Sequence, residues 1–269
     1  MTYPSLAFIG GGNMAGAIFG GLVRAGWPAS AIRIVEPWAE QRGHIAAAHP
    51  GIHLLAAADA SLAKAEIVVW AVKPQSFAEA VAPCAGFVGN ALQLSVMAGI
   101  RSEALLRATG SQRIVRAMPN TPALIGQGIA GLFARDAVSA ADRAAVEAVL
   151  APTGQLLWFE REVQLDAVTA LSGSGPAYVF YFLEAMIDAG VQLGLGAEQS
   201  RTLAQQTFAG AAALAQQSLE PVPLLRERVT SKGGTTHAAI DELDAAQVKA
   251  AFVRALRAAH ARAVELGKT

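Results

Sequence analysis

The chain has 269 residues, 53% of them hydrophobic and 16% charged, the profile of a water-soluble globular protein long enough for two ordinary domains. Its 21 basic and 21 acidic residues cancel, so no net field draws it to nucleic acid or to an anionic membrane, and neither is expected as a partner. The single cysteine, Cys84, excludes an intramolecular disulfide and any multi-cysteine metal site. No apolar run reaches spanning length before glycine or charge breaks it, and the N-terminus lacks the pattern of an export signal. A soluble, cytoplasmic protein is expected.

The first informative stretch is Leu6-Ala-Phe-Ile-Gly10-Gly-Gly12-Asn-Met14-Ala15, which predicts a buried strand, a tight glycine turn and the opening of a helix. Gly10, Gly12 and Ala15 satisfy the G-x-G-x-x-G/A spacing. The first glycine makes the turn, the second lets backbone approach a pyrophosphate, and Ala15 is small enough for close helix packing. Amides at the helix start then face the anion. Ala31-Ile-Arg-Ile-Val35 predicts the second strand, ending at Glu36, where an acid can bind the adenosine ribose hydroxyls. The alternative for Glu36 is a solvated loop carboxylate. In the binding role it repels a 2'-phosphate and favours NADH, while Arg33 and Arg42 nearby keep NADPH open.

Trp38 to Ala48 predicts a helix, and Glu66 to Val72 a strand with the continuous apolar character of a parallel sheet covered on both faces. Ala91 to Val96 and Arg113 to Ala117 repeat the theme, each after a helix, so the fold expected is an α/β Rossmann domain with a doubly wound, mostly parallel sheet. Lys73-Pro74, Met97-Ala98-Gly99 and Met118-Pro119-Asn120-Thr-Pro122 then stand at strand ends, the ligand side of such folds, and form one wall of a crevice. Gly128 to Ala134 and Gly154 to Phe159 predict further strands around a helix from Ser139 to Leu150. They close a domain of residues 1–160.

Residues 161–269 change period. Val163 to Leu171, Ala177 to Leu193, Glu198 to Ser218, Ala238 to Leu243 and Ala245 to Leu266 are helical patterns, so the second domain is all-α. Pro176 suits a first helical turn with Ser174 as cap, and Gly194 to Gly196 supplies a stop. Tyr178 to Leu183 is apolar around the whole helix, which predicts burial in a subunit interface, with burial against the first domain as the alternative.

Val229-Thr-Ser231-Lys-Gly233-Gly234-Thr235-Thr236-His237 places two glycines and three hydroxyls before a helix. It reads either as an anion nest for a substrate carboxylate or as a glycine linker with Thr235 or Thr236 as an ordinary N-cap. His237 has no partner visible in the sequence. The remaining histidines (His44, His49, His53, His260) lack ligand spacing, so no metal is expected. Ser172-Gly-Ser174-Gly follows a helical segment where a nucleophile elbow needs a strand, and reads as a helix junction.

With these residues in view the chain resembles pyrroline-5-carboxylate reductases almost end to end. The resemblance rests on Phe8-Ile-Gly10-Gly11-Gly12-Asn13-Met14, Ala71-Val72-Lys73-Pro74, Arg116-Ala-Met-Pro-Asn-Thr121, Ala170 to Tyr178 and Val229 to Thr236. It implies a Rossmann domain binding NADH or NADPH and a helical domain that binds substrate and dimerises, often within larger rings, with substrate where the two meet. The implied reaction is reduction of L-1-pyrroline-5-carboxylate to L-proline, the last step of proline biosynthesis. By the resemblance Ser231 and Thr236 sit at the substrate as catalytic residues, with Gly233, Gly234 and Thr235 binding its carboxylate. Gly10, Gly11, Gly12, Asn13, Met14, Glu36, Val72, Lys73, Pro74, Ala98, Met118, Pro119 and Asn120 bind the cofactor, and Ala98 and residues 118–120 line the nicotinamide. Three positions depart from the family: Ala58 for a frequent asparagine, Lys232 for a frequent proline, and Glu66 for an aspartate. Two other readings stand beside this one. A hydroxyacid or other imine reductase of the same plan wants an inward base, for which Lys249 is the candidate, and a non-catalytic NAD(H) sensor binds cofactor without turnover.

Overall fold

The computed structural model describes residues 3–268, which form two compact units, one of the residues up to Ser174 together with those from Ala259, the other Gly175–Ala258. The first unit is a doubly wound α/β layer structure. Its sheet contains β1 (Leu6–Ile9), β2 (Ile32–Val35), β3 (His53–Leu55), β4 (Ile67–Trp70), β5 (Leu92–Ser95), β6 (Ile114–Met118), β7 (Gly128–Ala134) and β8 (Gly154–Trp158), in the order β3-β2-β1-β4-β5-β6-β7-β8. Strands β1 to β6 run parallel; β7 is antiparallel to β6, and β8 follows it in parallel. The sheet reverses its winding between β2 and β4, on either side of β1, which is where ligands enter folds of this kind.

Helices α1 (Asn13–Arg24), α2 (Ala39–Ala48), α3 (Phe77–Val81), α4 (Ala85–Val88), α5 (Ser102–Thr109), α6 (Ala140–Leu150) and α7 (Gln164–Val168) accompany the strands. The two-residue period of the strands sends Leu6, Phe8, Ile34 and Val69 into one core and Ala7, Ile9, Val68 and Trp70 into the other. This double covering is why β1 and β4 read as unbroken apolar runs. Gln93, a polar residue with no exposure in β5, accepts from the Trp70 indole at 2.8 Å and donates to the carbonyls of Val88 and Ala91, so its burial leaves no bond unmade. Cys84 is buried beside Val81 and Val88 in the second core; burial pushes its thiol up to about 11, an inert packing residue.

A charged cluster joins β6, α5 and the segment before α7. Arg116 is 3% exposed and its Nη1 donates to Glu162 Oε1 at 2.9 Å; the Ser102 amide and hydroxyl donate to the same carboxylate at 2.7 and 2.8 Å. Burial alone raises the Glu162 carboxyl, and the Ser102 bonds and Arg116 overcome it, holding it below the usual carboxylate range. A depressed folded pKa contributes stability above the unfolded value, about 4.3 for Glu, and loses it as pH falls through the folded one. Glu162→Gln is therefore expected to cost about 3 kcal/mol at pH 7, where Arg116 is left without its counter-charge, and progressively less in acid. Urea midpoints at pH 7 and pH 3.5 measure this; an equal deficit at both would show that the carboxylate's charge is immaterial.

The second unit is helical: α8 (Gly175–Gln192), α9 (Ala197–Gln217), α10 (Val222–Arg228), α11 (Thr235–Ala245) and the first part of α12 (Val248–Leu266), whose last turns belong to the first unit. Helices α8 and α9 approach closely where Gly190 faces Ser200, leaving no room for a Cβ. Val179, Phe180 and Tyr181 are 42%, 58% and 70% exposed.

Two elements go unread in the sequence and one local reading is corrected. The short edge strand β3 and the seven-residue α10 have too few residues for their periodicity to register in sequence. Ser174, read as the cap of α8, instead closes a π-helical stretch, Thr169–Gly173, that continues α7; its amide donates to Thr169 O at 2.8 Å. Among the described residues no helix is long and apolar enough to cross a membrane, and no cluster of three or more His, Cys, Asp or Glu is arranged to hold a metal.

Candidate functional site

Parallel pairing of β1, β4, β5 and β6 brings the residues that follow them to one edge of the sheet: Gly10 to Met14, Val72 to Pro74, Ala98, and Met118 to Asn120. Gly10 has φ +95° and its amide donates to Val35 O at 2.9 Å; a Cβ there would lie 2.9 Å from Ala71 O. The neighbouring strand thus forbids any side chain at this turn. At Gly11 a Cβ would meet Ile45 Cδ1 at 2.7 Å.

Gly12 is different. Its φ of −74° and ψ of −171° suit any residue, it is exposed, and a Cβ built on it meets nothing within 4 Å. Nothing inside the protein requires glycine there, so the requirement comes from outside. It caps α1, whose first turn has neither a side-chain cap nor an acidic residue. Open space beside uncapped helix amides fits a pyrophosphate drawn in close to the backbone, and thereby the dinucleotide implied by the sequence.

Glu36 stands at the end of β2 but is not a solvated loop carboxylate. It is 8% exposed; its Oε2 accepts the Gly11 amide at 2.9 Å and its Oε1 the Trp38 amide at 3.0 Å. One carboxylate therefore ties the glycine turn to the start of α2. Gln41, which no motif flagged, and Arg42, named in the sequence only for its charge, complete the tie: Gln41 Nε2 donates to Gly11 O at 2.7 Å, and Arg42 Nη1 donates to the carbonyls of Glu36 and Pro37, each at 2.7 Å. Both lie in the first turn of α2, where an i+3 or i+4 spacing from Trp38 was the only available signal.

On the far side of the edge, Pro119 is buried and Met118 and Asn120 are half-buried. Asn120 is fully engaged: its Oδ1 accepts the Ile129 amide at 3.0 Å and its Nδ2 donates to Ser172 O at 3.2 Å. It pins the loop after β6 to the π-helical stretch, while a Cβ on Gly173 would strike Met118 Cε at 2.6 Å. The π-turn thereby fixes the Met118 side chain. Val72 and Ala98 are half-buried; Lys73 and Pro74 are exposed.

The second glycine stretch lies in the helical unit, between α10 and α11. Gly233 has φ +75°, and the Gly234 amide donates to Ser231 O at 3.0 Å, closing a turn. A Cβ on Gly234 would lie 2.8 Å from Ser231 Oγ, so glycine here leaves the serine hydroxyl its place. The reading of Thr235 or Thr236 as an ordinary N-cap is corrected: Gly234 is the cap residue, and both threonines lie inside the first turn of α11. Among the described residues neither their hydroxyls nor that of Ser231 is spent on a hydrogen bond. His237 does have a partner, Asp241 one turn on, 2.9 Å from its Nδ1. Lys249, the candidate base of the hydroxyacid reading, is exposed on α12, in a shallow depression with Asp244 and Arg257.

Comparison with known proteins finds relatives along the whole chain. Residues 162–266 match the family model for pyrroline-5-carboxylate reductase dimerisation, and residues 5–99 match that for NADP oxidoreductase, coenzyme F420-dependent. The chain is 45% identical to the pyrroline-5-carboxylate reductase of Pseudomonas aeruginosa, over all of this chain and 98% of that one. Among solved structures it is similar to a pyrroline-5-carboxylate reductase from Coxiella burnetii, with a TM-score of 0.91 and 35% identity over the whole of both chains. It is also similar to the Plasmodium falciparum pyrroline carboxylate reductase with NADP bound, with a TM-score of 0.89 and 28% identity over 99% of each.

Proposed function

The chain belongs to the pyrroline-5-carboxylate reductase family, and from that premise we propose which of its residues carry the reaction. It is an oxidoreductase that reduces the C=N bond of L-1-pyrroline-5-carboxylate to give L-proline, using NAD(P)H. The observation that carries the residue assignment is the open space at Gly12 beside the uncapped start of α1. When bound, NAD(P)H supplies the hydride taken up by the imine carbon. The chain's own residues bind, orient and manage the proton.

Gly10 to Met14 form the pyrophosphate turn: the amides of Gly10 and Gly11 are held by Val35 O and Glu36, which keep the turn in register, and those from Gly12 to Met14 receive the phosphates. Because Glu36 also leaves a negative charge beside the adenosine ribose, NADH is favoured over NADPH; Arg42, anchored on the Glu36 and Pro37 carbonyls, is the opposing attraction. Val72, Lys73, Pro74, Ala98, Met118, Pro119 and Asn120 form the nicotinamide side, with Met118 held by Gly173 and Asn120 acting through the loop it pins.

In the helical unit the amides of Gly233, Gly234 and Thr235 take the substrate carboxylate, with the Ser231 hydroxyl beside them. The Thr236 hydroxyl oxygen faces the ring nitrogen and accepts a hydrogen bond from its N–H. A cyclic imine is basic enough to be substantially protonated near neutrality, so the nitrogen arrives with its proton and the threonine orients it. Residues 1–160 serve the cofactor and 161–269 the substrate and assembly. The apolar, exposed face of α8 supports a homodimer or larger homo-oligomer formed through the C-terminal helices. A lone buried thiol suits the reducing cytoplasm.

The test is loss of absorbance at 340 nm with NADH or NADPH, each offered the five-membered imine and its six-membered homologue. Rapid oxidation with L-1-pyrroline-5-carboxylate is expected, faster with NADH. No oxidation by folded protein that binds a nicotinamide cofactor would remove the reductase assignment in favour of a sensor, and a clear preference for NADPH would show that Arg42 outweighs Glu36.

A further inference from the structure

Trp38 is the one fully surfaced tryptophan of the four in the chain. Trp70 is completely buried, Trp27 is 7% exposed and Trp158 half-buried, whereas Trp38 is 73% exposed. Its backbone is nonetheless held on three sides. The amide donates to Glu36 Oε1, the carbonyl accepts the Arg42 amide at 3.0 Å, and the preceding Pro37 has its own carbonyl tied to the Arg42 guanidinium. Among the described residues the indole has neither an aromatic nor a cationic partner, in contrast to the tryptophans that pack against Tyr3, meet Phe77 edge to face or lie under Arg143.

A side chain of this size left 73% exposed surrenders most of its hydrophobic gain, while the backbone beneath it has already lost its freedom. That combination is what a stacking platform needs, because a rigid aromatic face in water gains on contact with a flat ring at little further entropic cost. Position selects the ring. The carboxylate that binds the Trp38 amide with one oxygen binds the Gly11 amide with the other, so the indole stands at the adenosine end of the same turn that receives the pyrophosphate.

We propose that Trp38 is an adenine-stacking residue that sets the affinity of this chain for its dinucleotide, independently of the 2'-position that Glu36 and Arg42 discriminate. The proposal rests on the dinucleotide reading of the Gly10 to Met14 turn. Every purine presents a π-face, so the contact serves NADH and NADPH alike, and stacking of this kind changes binding about 5- to 150-fold when the aromatic is cut to alanine.

The experiment uses the full-length protein and three non-reacting probes: NAD⁺, ADP-ribose, which keeps the adenine, and nicotinamide mononucleotide, which lacks it. Tryptophan emission is followed during titration and affinity is measured by calorimetry. NAD⁺ and ADP-ribose are expected to quench the wild-type emission, and nicotinamide mononucleotide to leave it unchanged. Trp38→Ala should lose the quench and bind NAD⁺ about 5- to 150-fold more weakly, with KM for the imine unchanged. Trp38→Phe should restore affinity to within about 3-fold, since another aromatic face serves. Wild-type and Trp38→Ala proteins that bind NAD⁺ equally would overturn the proposal while leaving the dinucleotide site standing. A wild-type protein that binds neither NAD⁺ nor ADP-ribose would overturn both.

Discussion

Gly12→Val is expected to leave the fold intact and to raise the dissociation constant for NAD(P)H on the order of 100-fold, the loss of one or two charge-assisted amide contacts to phosphate. The backbone at Gly12 is ordinary, and a Cβ there meets no atom within 4 Å, so the melting temperature should move by no more than about 2 °C, as for other surface substitutions. Gly10→Ala is the control with the opposite signature. Its Cβ would sit 2.9 Å from Ala71 O at a φ of +95°, so it should unfold more readily by at least about 1 kcal/mol, and its binding defect follows from that. Thermal melts with and without NAD⁺, alongside calorimetry, separate the two. Undiminished cofactor binding by Gly12→Val would mean that the open space at this turn is not where the pyrophosphate lies.

Thr236→Ala is expected to lower kcat/KM by about 10- to 1000-fold, the range spanned by losses of a positioned proton-transfer group or of a hydrogen bond at the reacting centre. Residual turnover should persist, because the imine brings its own proton. The structure sharpens the experiment. Thr236 lies inside the first turn of α11, with Gly234 as the cap residue, so alanine removes no cap and stability should hold or rise slightly. Thr236→Ser should recover most of the rate. Rate loss with an unchanged melting temperature assigns the hydroxyl to chemistry. An unchanged kcat/KM, measured where hydride transfer limits turnover, would exclude it; a fall in melting temperature would mean that the hydroxyl holds the helix start.

Much of the first unit was legible because the periodicities are strong. Burial on both faces makes β1 and β4 continuous apolar runs, and the G-x-G-x-x-A spacing marks the turn between β1 and α1 without knowledge of anything distant. β3 and α10 escaped because so few residues carry no resolvable period. The junction at Ser174 was read as a capped helix start because a π-turn has no sequence signature of its own; it exists because Asn120, Met118 and Val168 pack around residues 172 and 173.

The amino-acid sequence by itself determined the α/β order, the phosphate turn, the apolar face of α8 and the hydroxyl-rich turn before α11, since each depends on neighbours within a few positions. Only the tertiary structure decided what Glu36 does. In sequence it is an acid at the end of a strand, free to meet a ribose; in the fold parallel pairing of β1 with β2 sets it beside Gly11, and its two oxygens go to the amides of residues 11 and 38. The same holds for the contrast between Gly10 and Gly12, identical letters two positions apart. One is glycine because Ala71, just past β4, allows nothing else; at the other the protein itself leaves open room. Such distinctions arise from atoms brought together across dozens of residues of chain, and no local pattern encodes them.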